Sequence, residues 1–245
     1  MRDLSPEFHP SPNHGGRGTG PVDILLLHYT GMPDADQALS WLCNPESKVS
    51  AHYFLFADGR VLSLVPEARR AWHAGAARWG DATDINSRSI GIEIANPGHD
   101  GGLPDFPDAQ IEALIALCRG IVGRHPIPAH RVLAHSDVAP GRKRDPGERF
   151  PWARLAAAGI GHWVEPQPIG AESGALKLGD SGPHVEGLQQ MLALYGYGID
   201  ICGVFDRRTE DVVAAFQRHF RPARVDGVAD RSTIATLQKL LEALP

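Results

Sequence analysis

The sequence predicts an α/β fold, with a mixed central β-sheet flanked by helices, followed by a small three-helix domain at the C-terminus. Three observations predict it. Short apolar runs alternate with helical patterns along the first ~160 residues, as expected for strands that are covered by helices. The dipeptide Asp58-Gly59 separates two β-prone runs, which is a hairpin signal. A short pattern in the last third of the chain occurs twice, which indicates an internal repeat.

The elements of the first part follow from the spacing of apolar residues. A short apolar run that ends near a His indicates a buried strand, and the alternating sequence Ile-Gly-Ile-Glu-Ile-Ala indicates another. Apolar residues at helical spacing predict an amphipathic helix with Pro107 in its first turn. In chain order we expect a strand at 22–29, a helix at 33–42 entered at Asp34, a hairpin at 53–56 and 61–65, a strand at 90–95 and a helix at about 107–123.

The last third of the chain is predicted to be helical. Gly203-Val-Phe-Asp-Arg-Arg-Thr recurs as Gly227-Val-Ala-Asp-Arg-Ser-Thr, an offset of 24 residues. Asp206 and Asp230 stand where an N-cap is expected, because a carboxylate there accepts hydrogen bonds from free amides of the first turn. This predicts three helices and, before them, a linker without periodicity. The helices are expected at about 184–194, 207–219 and 231–242, and the linker at 162–175.

Composition excludes several classes of protein. The net charge of −5 argues against a general nucleic-acid binder, which needs a basic face. Three cysteines are too few and too far apart for a disulfide framework. No stretch approaches the ~20 apolar residues that cross a bilayer. The first 20 residues lack the apolar core of a signal peptide, so we expect a cytoplasmic protein, or a periplasmic one if a leader has been removed.

The chain has 12 histidines, and two of them are candidates for a metal site. His135 is followed ten residues later by Asp145 in one loop, and His28 ends an apolar strand, which is a rigid platform for a ligand. Two imidazoles and a carboxylate are the donor types of a catalytic zinc site, which keeps a fourth position open. The alternative is that His28 is an ordinary core histidine and that the loop residues are polar turn residues.

Glu93 is a candidate acid or base. It lies in a strand between Ile92 and Ile94. A carboxylate that points into a cleft of low dielectric has a raised pKa, which suits general acid–base catalysis near neutral pH. The alternative is that Glu93 faces solvent on the polar side of an alternating strand.

Five motifs in order resemble the type 2 family of zinc-dependent N-acetylmuramoyl-L-alanine amidases. The resemblance covers roughly residues 20–160. It implies the mixed α/β fold of that family. It also implies hydrolysis of the amide between N-acetylmuramic acid and the L-alanine of the peptidoglycan stem peptide, with the 1,6-anhydro form of the sugar as a further candidate substrate. The motifs are His28, Ser-Ala-His-Tyr-Phe at 50–54, Ala-Trp-His-Ala-Gly at 71–75, Gly-Ile-Glu-Ile-Ala-Asn at 91–96, and the loop from His135 to Gly147.

The resemblance also implies roles for single residues. His28, His135 and Asp145 would hold Zn²⁺, Glu93 would be the catalytic acid and base, and Lys143 would stabilise the oxyanion. Phage and animal members use a Tyr at the position of Ala51, and its absence here fits Glu93 in that role. The candidates for contact with the substrate are His73, Asn96 and Arg142.

The C-terminal part resembles the type 1 peptidoglycan-binding module, a three-helix domain, through Gly179-Asp-Ser-Gly and Gly203-Val-Phe-Asp. The expected partners are therefore peptidoglycan or muropeptide fragments, and the expected state is a monomer. Two other functions stay open, a non-catalytic peptidoglycan-recognition protein and a zinc peptidase that cuts within the stem peptide. The module itself either binds polymer or only supports the catalytic domain. The predicted division is an extension at 1–20, an amidase domain at 21–161, a linker at 162–175 and the module at 176–245.

Overall fold

The computed structural model describes residues 6–170 and 174–244. Residues 1–5 of the predicted extension, 171–173 of the predicted linker and Pro245 of the predicted module lie outside the described residues. The strands are β1 (Glu7–Phe8), β2 (His14–Gly16), β3 (Ile24–Tyr29), β4 (Tyr53–Leu55), β5 (Val61–Ser63), β6 (Arg69–Ala71), β7 (Ser89–Ile94) and β8 (Val132–Ala134).

Eight α-helices accompany these strands in the described part of the chain, and none of them is long and apolar enough to span a membrane. Those of the first part cover the sheet or connect its strands, and the last three form the C-terminal helical part. They are α1 (Ala35–Cys43), α2 (Ile85–Arg88), α3 (Asp108–Arg124), α4 (His135–Val138), α5 (Trp152–Ala157), α6 (Pro183–Tyr195), α7 (Arg207–Phe220) and α8 (Arg231–Glu242).

The main sheet has the strand order β1-β5-β4-β7-β3-β8. Its strands run parallel except for the hairpin β4–β5, so the sheet is mixed, as the sequence predicts. β3 lies in the interior between β7 and β8. Leu25 and Leu27 pack on one face of the sheet, and Ile24 and Leu26 pack on the other. Burial on both faces explains why this strand is a continuous apolar run rather than an alternating one.

The segment predicted as an N-terminal extension is part of the fold. β1 pairs with β5 at the edge of the main sheet, and β2 pairs with β6 in a small second sheet. Between them, the buried Asn13 donates through Nδ2 to the carbonyl oxygens of Asn44 and Val49, at 2.7 and 2.8 Å. The first residues therefore hold the loop that follows α1, which borders the cleft described below.

The C-terminal helices agree with the predicted repeat. Asp206 accepts a hydrogen bond from the amide of Thr209, and Asp230 accepts one from the amide of Thr233, so both are N-caps. The structure adds a buried glutamine to each copy. Gln189 Oε1 accepts from the amide of Gly203, and Gln217 Oε1 accepts from the amide of Gly227. Each glutamine thereby ties one helix to the turn that precedes the next helix.

The two parts of the chain share one hydrophobic core. Leu26 and Trp79 of the first part belong to the same buried cluster as Val185, Leu188 and Phe216 of the last three helices. The described residues of the segment predicted as a linker, 162–170 and 174–175, form no helix or strand, but two of them bond to the C-terminal helical part. His162 lies 2.9 Å from the hydroxyl of Tyr195, and the amide of Gln167 donates to Thr236 Oγ1.

Candidate metal centre

Three side chains converge at the carboxyl end of the central strands. The Nδ1 atoms of His28 and His135 are 2.9 Å apart, and Asp145 Oδ2 lies 3.1 Å from the first and 2.9 Å from the second. All three residues are buried. They are the three residues that the sequence selects as metal ligands, and the fold brings them together from one strand, one helix and one loop.

Strand pairing explains this convergence. β3 and β8 are parallel neighbours, and Leu27 pairs with Ala134. The residue that follows this pair is a histidine in both segments: His28 in β3, and His135 directly after β8. Both side chains therefore reach the same edge of the sheet, where α/β proteins commonly place their ligands. The loop after α4 then turns back, and the amide of Ser136 donates to the carbonyl oxygen of Asp145 at 3.0 Å. This bond fixes Asp145 beside His135.

The hydrogen bonds around His135 assign its proton. Its Nε2 lies 3.0 Å from the carbonyl oxygen of Ala74, which only accepts, so Nε2 carries the hydrogen. In the neutral ring, the lone pair of Nδ1 then faces His28 and Asp145. A partner that orients a metal-ligating imidazole in this way is typical of metal sites.

A chain of hydrogen bonds assigns the proton of His28 as well. The hydroxyl of Ser89 donates to the carbonyl oxygen of Ile85, so its oxygen accepts from His73 Nε2 at 3.2 Å. His73 Nδ1 then accepts from His28 Nε2 at 3.0 Å. The remaining nitrogen of His28, Nδ1, is left with its lone pair toward the centre.

The electrostatics agree with a neutral His28 and an ionised Asp145. Burial, and after it the charge on His135, lowers the pKa of His28 from 6.5 to about 4. Burial alone would raise the pKa of Asp145, but the two histidines outweigh it and hold that pKa below its ordinary value. The two Nδ1 atoms and a carboxylate oxygen thus face one another within 3.1 Å. This donor set fits a cation.

Glu93 and Lys143 border the same cleft. Glu93 pairs in register with His28 across β7 and β3, and its Oε2 is buried with no hydrogen-bond partner among the described residues. Burial, then the charge of Asp145, raises the pKa of Glu93 well above 4.5, while Lys143 opposes the rise. Lys143 is half-buried and lines the cleft. A carboxyl group with a raised pKa beside a cation site suits proton transfer.

The cleft has a volume of about 450 Å³ and extends from His135 and Asp145 to α1. Trp41 is 51% exposed on its wall, although most large apolar side chains of the described chain are buried. Sequence analysis missed Trp41. Its position directly before the buried Leu42 gives the signal: successive residues of a helix point about 100° apart, so Trp41 lies at the edge of the apolar stripe formed by Ala38 and Leu42.

The three candidate substrate contacts occupy different places. Arg142 lines the cleft, and its guanidinium donates to the carbonyl oxygen of Ala76 at 2.8 Å. His73 also borders the cleft but is 8% exposed, with both ring nitrogens in the chain behind His28. Asn96 lies outside the residues that line the cleft, and its side chain bonds to the backbone of Pro104 and Gly98. It therefore holds the loop after β7.

Comparison with known proteins decides the family. Residues 18–148, more than half of the chain, match the family model described as N-acetylmuramoyl-L-alanine amidase. The chain belongs to this amidase family. Residues 181–237 of the amidase also match the model of a peptidoglycan binding domain. Both family predictions made from the sequence motifs are confirmed, and the clustered side chains of His28, His135 and Asp145 lie within the first match.

The amidase is similar to named relatives along most of its length. It is 39% identical over 237 residues to the N-acetylmuramoyl-L-alanine amidase AmiD of Escherichia coli, and the alignment covers 90% of this chain and 83% of that protein. It is 35% identical over 169 residues to the 1,6-anhydro-N-acetylmuramyl-L-alanine amidase AmpD of Enterobacter cloacae, and this alignment covers 60% of this chain and 87% of that protein. The second alignment is the shorter one by about the length of the C-terminal helices.

Two solved structures share the fold. A complex of AmiD from E. coli with anhydro-N-acetylmuramic acid-L-Ala-D-γ-Glu-L-Lys has a TM-score of 0.78 at 37% identity, and the match covers 92% of this chain and 90% of that one. The structure of AmpDh3 from Pseudomonas aeruginosa has a TM-score of 0.73 at 32% identity, covering 92% and 95%. The predicted α/β fold with a C-terminal helical part is confirmed.

Proposed function

We propose that this amidase hydrolyses the amide between the lactyl group of N-acetylmuramic acid and L-alanine of the stem peptide, with Zn²⁺ held by His28, His135 and Asp145. The observation that carries the proposal is the set of two imidazole Nδ1 atoms and one carboxylate oxygen within 3.1 Å of one another. Nitrogen and oxygen donors of this number are typical of catalytic zinc.

The residues of the cleft have distinct tasks in this reaction. A bound zinc ion supplies a Lewis acid and makes water a nucleophile near neutral pH. Glu93 accepts a proton from the attacking water and passes it to the nitrogen of the leaving L-alanine, so the amide bond breaks with a neutral amine as product. Lys143 lies on the cleft wall, where its ammonium group stabilises the negative charge that develops on the amide oxygen.

The substrate is a muropeptide, and the 1,6-anhydro form is the preferred candidate. The name of AmpD and the ligand of the AmiD complex both contain an anhydro sugar, which supports this choice. The cleft also offers an exposed indole, Trp41, and the apolar face of a sugar stacks well on such a ring. The C-terminal helices would bind polymer. The cytoplasmic location and the monomeric state stay predictions from the sequence.

Product analysis tests the proposal. The enzyme is incubated with anhydro-N-acetylmuramyl tripeptide, with and without a chelator, and the products are identified by mass spectrometry. We expect a free peptide that begins with L-alanine, loss of activity with chelator and recovery with zinc. Cleavage between residues of the peptide would identify a peptidase instead, and activity that a chelator leaves intact would contradict the metal.

Metal analysis of two variants tests the ligand set. His28→Ala should lose stoichiometric zinc, because two ligands hold the ion far more weakly than three. His184→Ala is the matched control, since His184 is exposed at the start of α6, and it should retain zinc. Full zinc occupancy in His28→Ala would remove His28 from the ligand set.

A further inference from the structure

A buried carboxylate lies two residues after the candidate ligand His135. Asp137, in the one-turn helix α4, is fully buried. Its Oδ2 accepts hydrogen bonds from the amide of Ala134 at 2.8 Å and from His219 Nδ1 at 2.6 Å, and its Oδ1 accepts one from the hydroxyl of Tyr197 at 2.8 Å. Two of its three donors therefore come from the C-terminal helical part.

Packing holds both of these donors in place. The ring of His219 stacks on Trp152 of the first part, with 3.7 Å between ring centroids, and on its neighbour Phe220 at 3.8 Å. The ring of Tyr197 lies edge-on to Trp79, at 4.9 Å. Because these rings cannot turn without losing close contacts, each directs its polar atom at Asp137.

The same loop is held at further points along its length. Arg208 of α7 donates to the carbonyl oxygen of Pro140 at 3.2 Å. Asp211 of the same helix lies so close to Gly141 that a Cβ atom there would be 2.2 Å from its Oδ2. The C-terminal part thus touches the segment between the two ligands His135 and Asp145 at three successive positions.

We propose that His219 and Tyr197 are positioning residues for the metal, so that the C-terminal helices shape the centre in addition to any binding of polymer. The proposal rests on the zinc site put forward above. A helix of one turn has little stability of its own. The bonds to Asp137 supply the anchor that fixes α4, and with it the direction of His135 Nδ1. Removal of His219 or Tyr197 would take one hydrogen-bond donor away from the buried carboxylate of Asp137, and α4 would shift.

Zinc affinity of the full-length protein tests the proposal. Dissociation constants are measured by chelator competition, and Co²⁺ absorption spectra report the ligand geometry. His219→Ala should weaken zinc binding by about 10–100-fold, in the range found for partners of metal ligands. His219→Asn should restore most of the affinity, because its amide nitrogen can take the place of Nδ1. Tyr197→Phe, which removes one hydroxyl and keeps the ring, should give a smaller loss.

Ser232→Ala is the matched control. Ser232 Oγ donates to the carbonyl oxygen of Gln167, so it also connects the C-terminal helices with the preceding chain, but it does not touch the ligand loop. It should leave the zinc affinity and the cobalt spectrum unchanged at a similar cost in the melting temperature of the metal-free protein.

The outcomes separate this proposal from the proposed function. Tight binding by the natural protein and unchanged affinity in both His219→Ala and Tyr197→Phe would overturn the positioning role and leave the zinc site intact. Equal losses in Ser232→Ala would also overturn it, because they would reflect stability alone. Failure of the natural protein itself to bind zinc would overturn the zinc site. If His219→Ala does not fold, the zinc affinity of Tyr197→Phe decides whether the positioning role stands.

Discussion

Gly196 packs directly against the indole ring of Trp79: a Cβ atom at Gly196 would lie 2.5 Å from Cε2 of the ring. The backbone φ of Gly196 is 132°, which L side chains rarely adopt. Its carbonyl oxygen accepts a hydrogen bond from the amide of Gly80 at 2.7 Å. The contact between the two parts of the chain therefore requires a glycine at this position.

Substitution of this glycine should destabilise the whole protein. Gly196→Ala should lower the free energy of unfolding by about 2 kcal/mol or more, because it combines a clash with a strained backbone. Denaturant unfolding measures the change. Gly187→Ala is the control, since Gly187 lies inside α6 with open space around it and alanine is the better helix former. Equal stability of the two variants would contradict the tight contact.

Glu93→Gln should lower kcat by ~100-fold or more, while the zinc content stays at the natural level. The amide keeps the size of the side chain but cannot accept and return a proton. Steady-state kinetics and metal analysis of the same preparation check this. Glu112→Gln, a change at an exposed position of α3, should be silent. Near-normal turnover of Glu93→Gln would remove Glu93 from the acid–base role.

Trp41→Ala should raise KM by about 3–10-fold with little effect on kcat, because the indole offers a stacking surface and lies at the rim rather than at the reacting atoms. Trp41→Phe keeps an aromatic face and should recover part of the affinity. Kinetics with the anhydro-muropeptide provide the comparison. A drop in kcat with an unchanged KM would mean that Trp41 affects the chemistry and does not bind the sugar.

The ion cluster around Glu67 predicts a pH dependence of stability. Burial would raise the pKa of Glu67, but hydrogen bonds from Arg124, Tyr53 and His125 outweigh it and lower the pKa from 4.5 to about 2. Since the folded pKa lies below the unfolded one, the stabilisation is complete above pH 4.5 and is lost as the pH falls toward 2.

Because solvent screens this partly exposed cluster, Glu67→Gln should cost less than the full pKa shift implies, about 2 kcal/mol at pH 7, and the difference from the natural protein should shrink at pH 3. Unfolding curves at the two pH values test this. Glu112→Gln serves again as the control, because its carboxylate is 73% exposed beside Arg154. A stability difference that does not change with pH would show that Glu67 acts through packing and not through its charge.

Much of the fold could be predicted from local patterns. The central strand, the hairpin at Asp58-Gly59 and the caps Asp206 and Asp230 depend on neighbours in sequence, and the structure has them within a few residues of the predicted positions. The role of residues 7–16 could not be predicted, because a two-residue strand such as β1 has no period of its own and forms by pairing with β5.

Some residues of the candidate site could be predicted from the sequence, and others could not. His28, His135 and Asp145 could be selected because donor type and position at a strand end or loop carry the signal. Asp137 could not, since a carboxylate in a polar loop looks like a surface residue. Its partners, Tyr197 and His219, are 60 and 82 residues away along the chain, and only the folded structure shows the contact.

The shared core has a consequence for how such enzymes can be recombined. A wall-binding unit on a flexible tether can be exchanged as a cassette, because nothing in the catalytic unit depends on it. Here the C-terminal helices cover Trp79 and hold Asp137, so a chimaera with a foreign module would expose an apolar face and leave a buried carboxylate with one of its three donors. A transplant would succeed only if the incoming module carried equivalents of Tyr197 and His219.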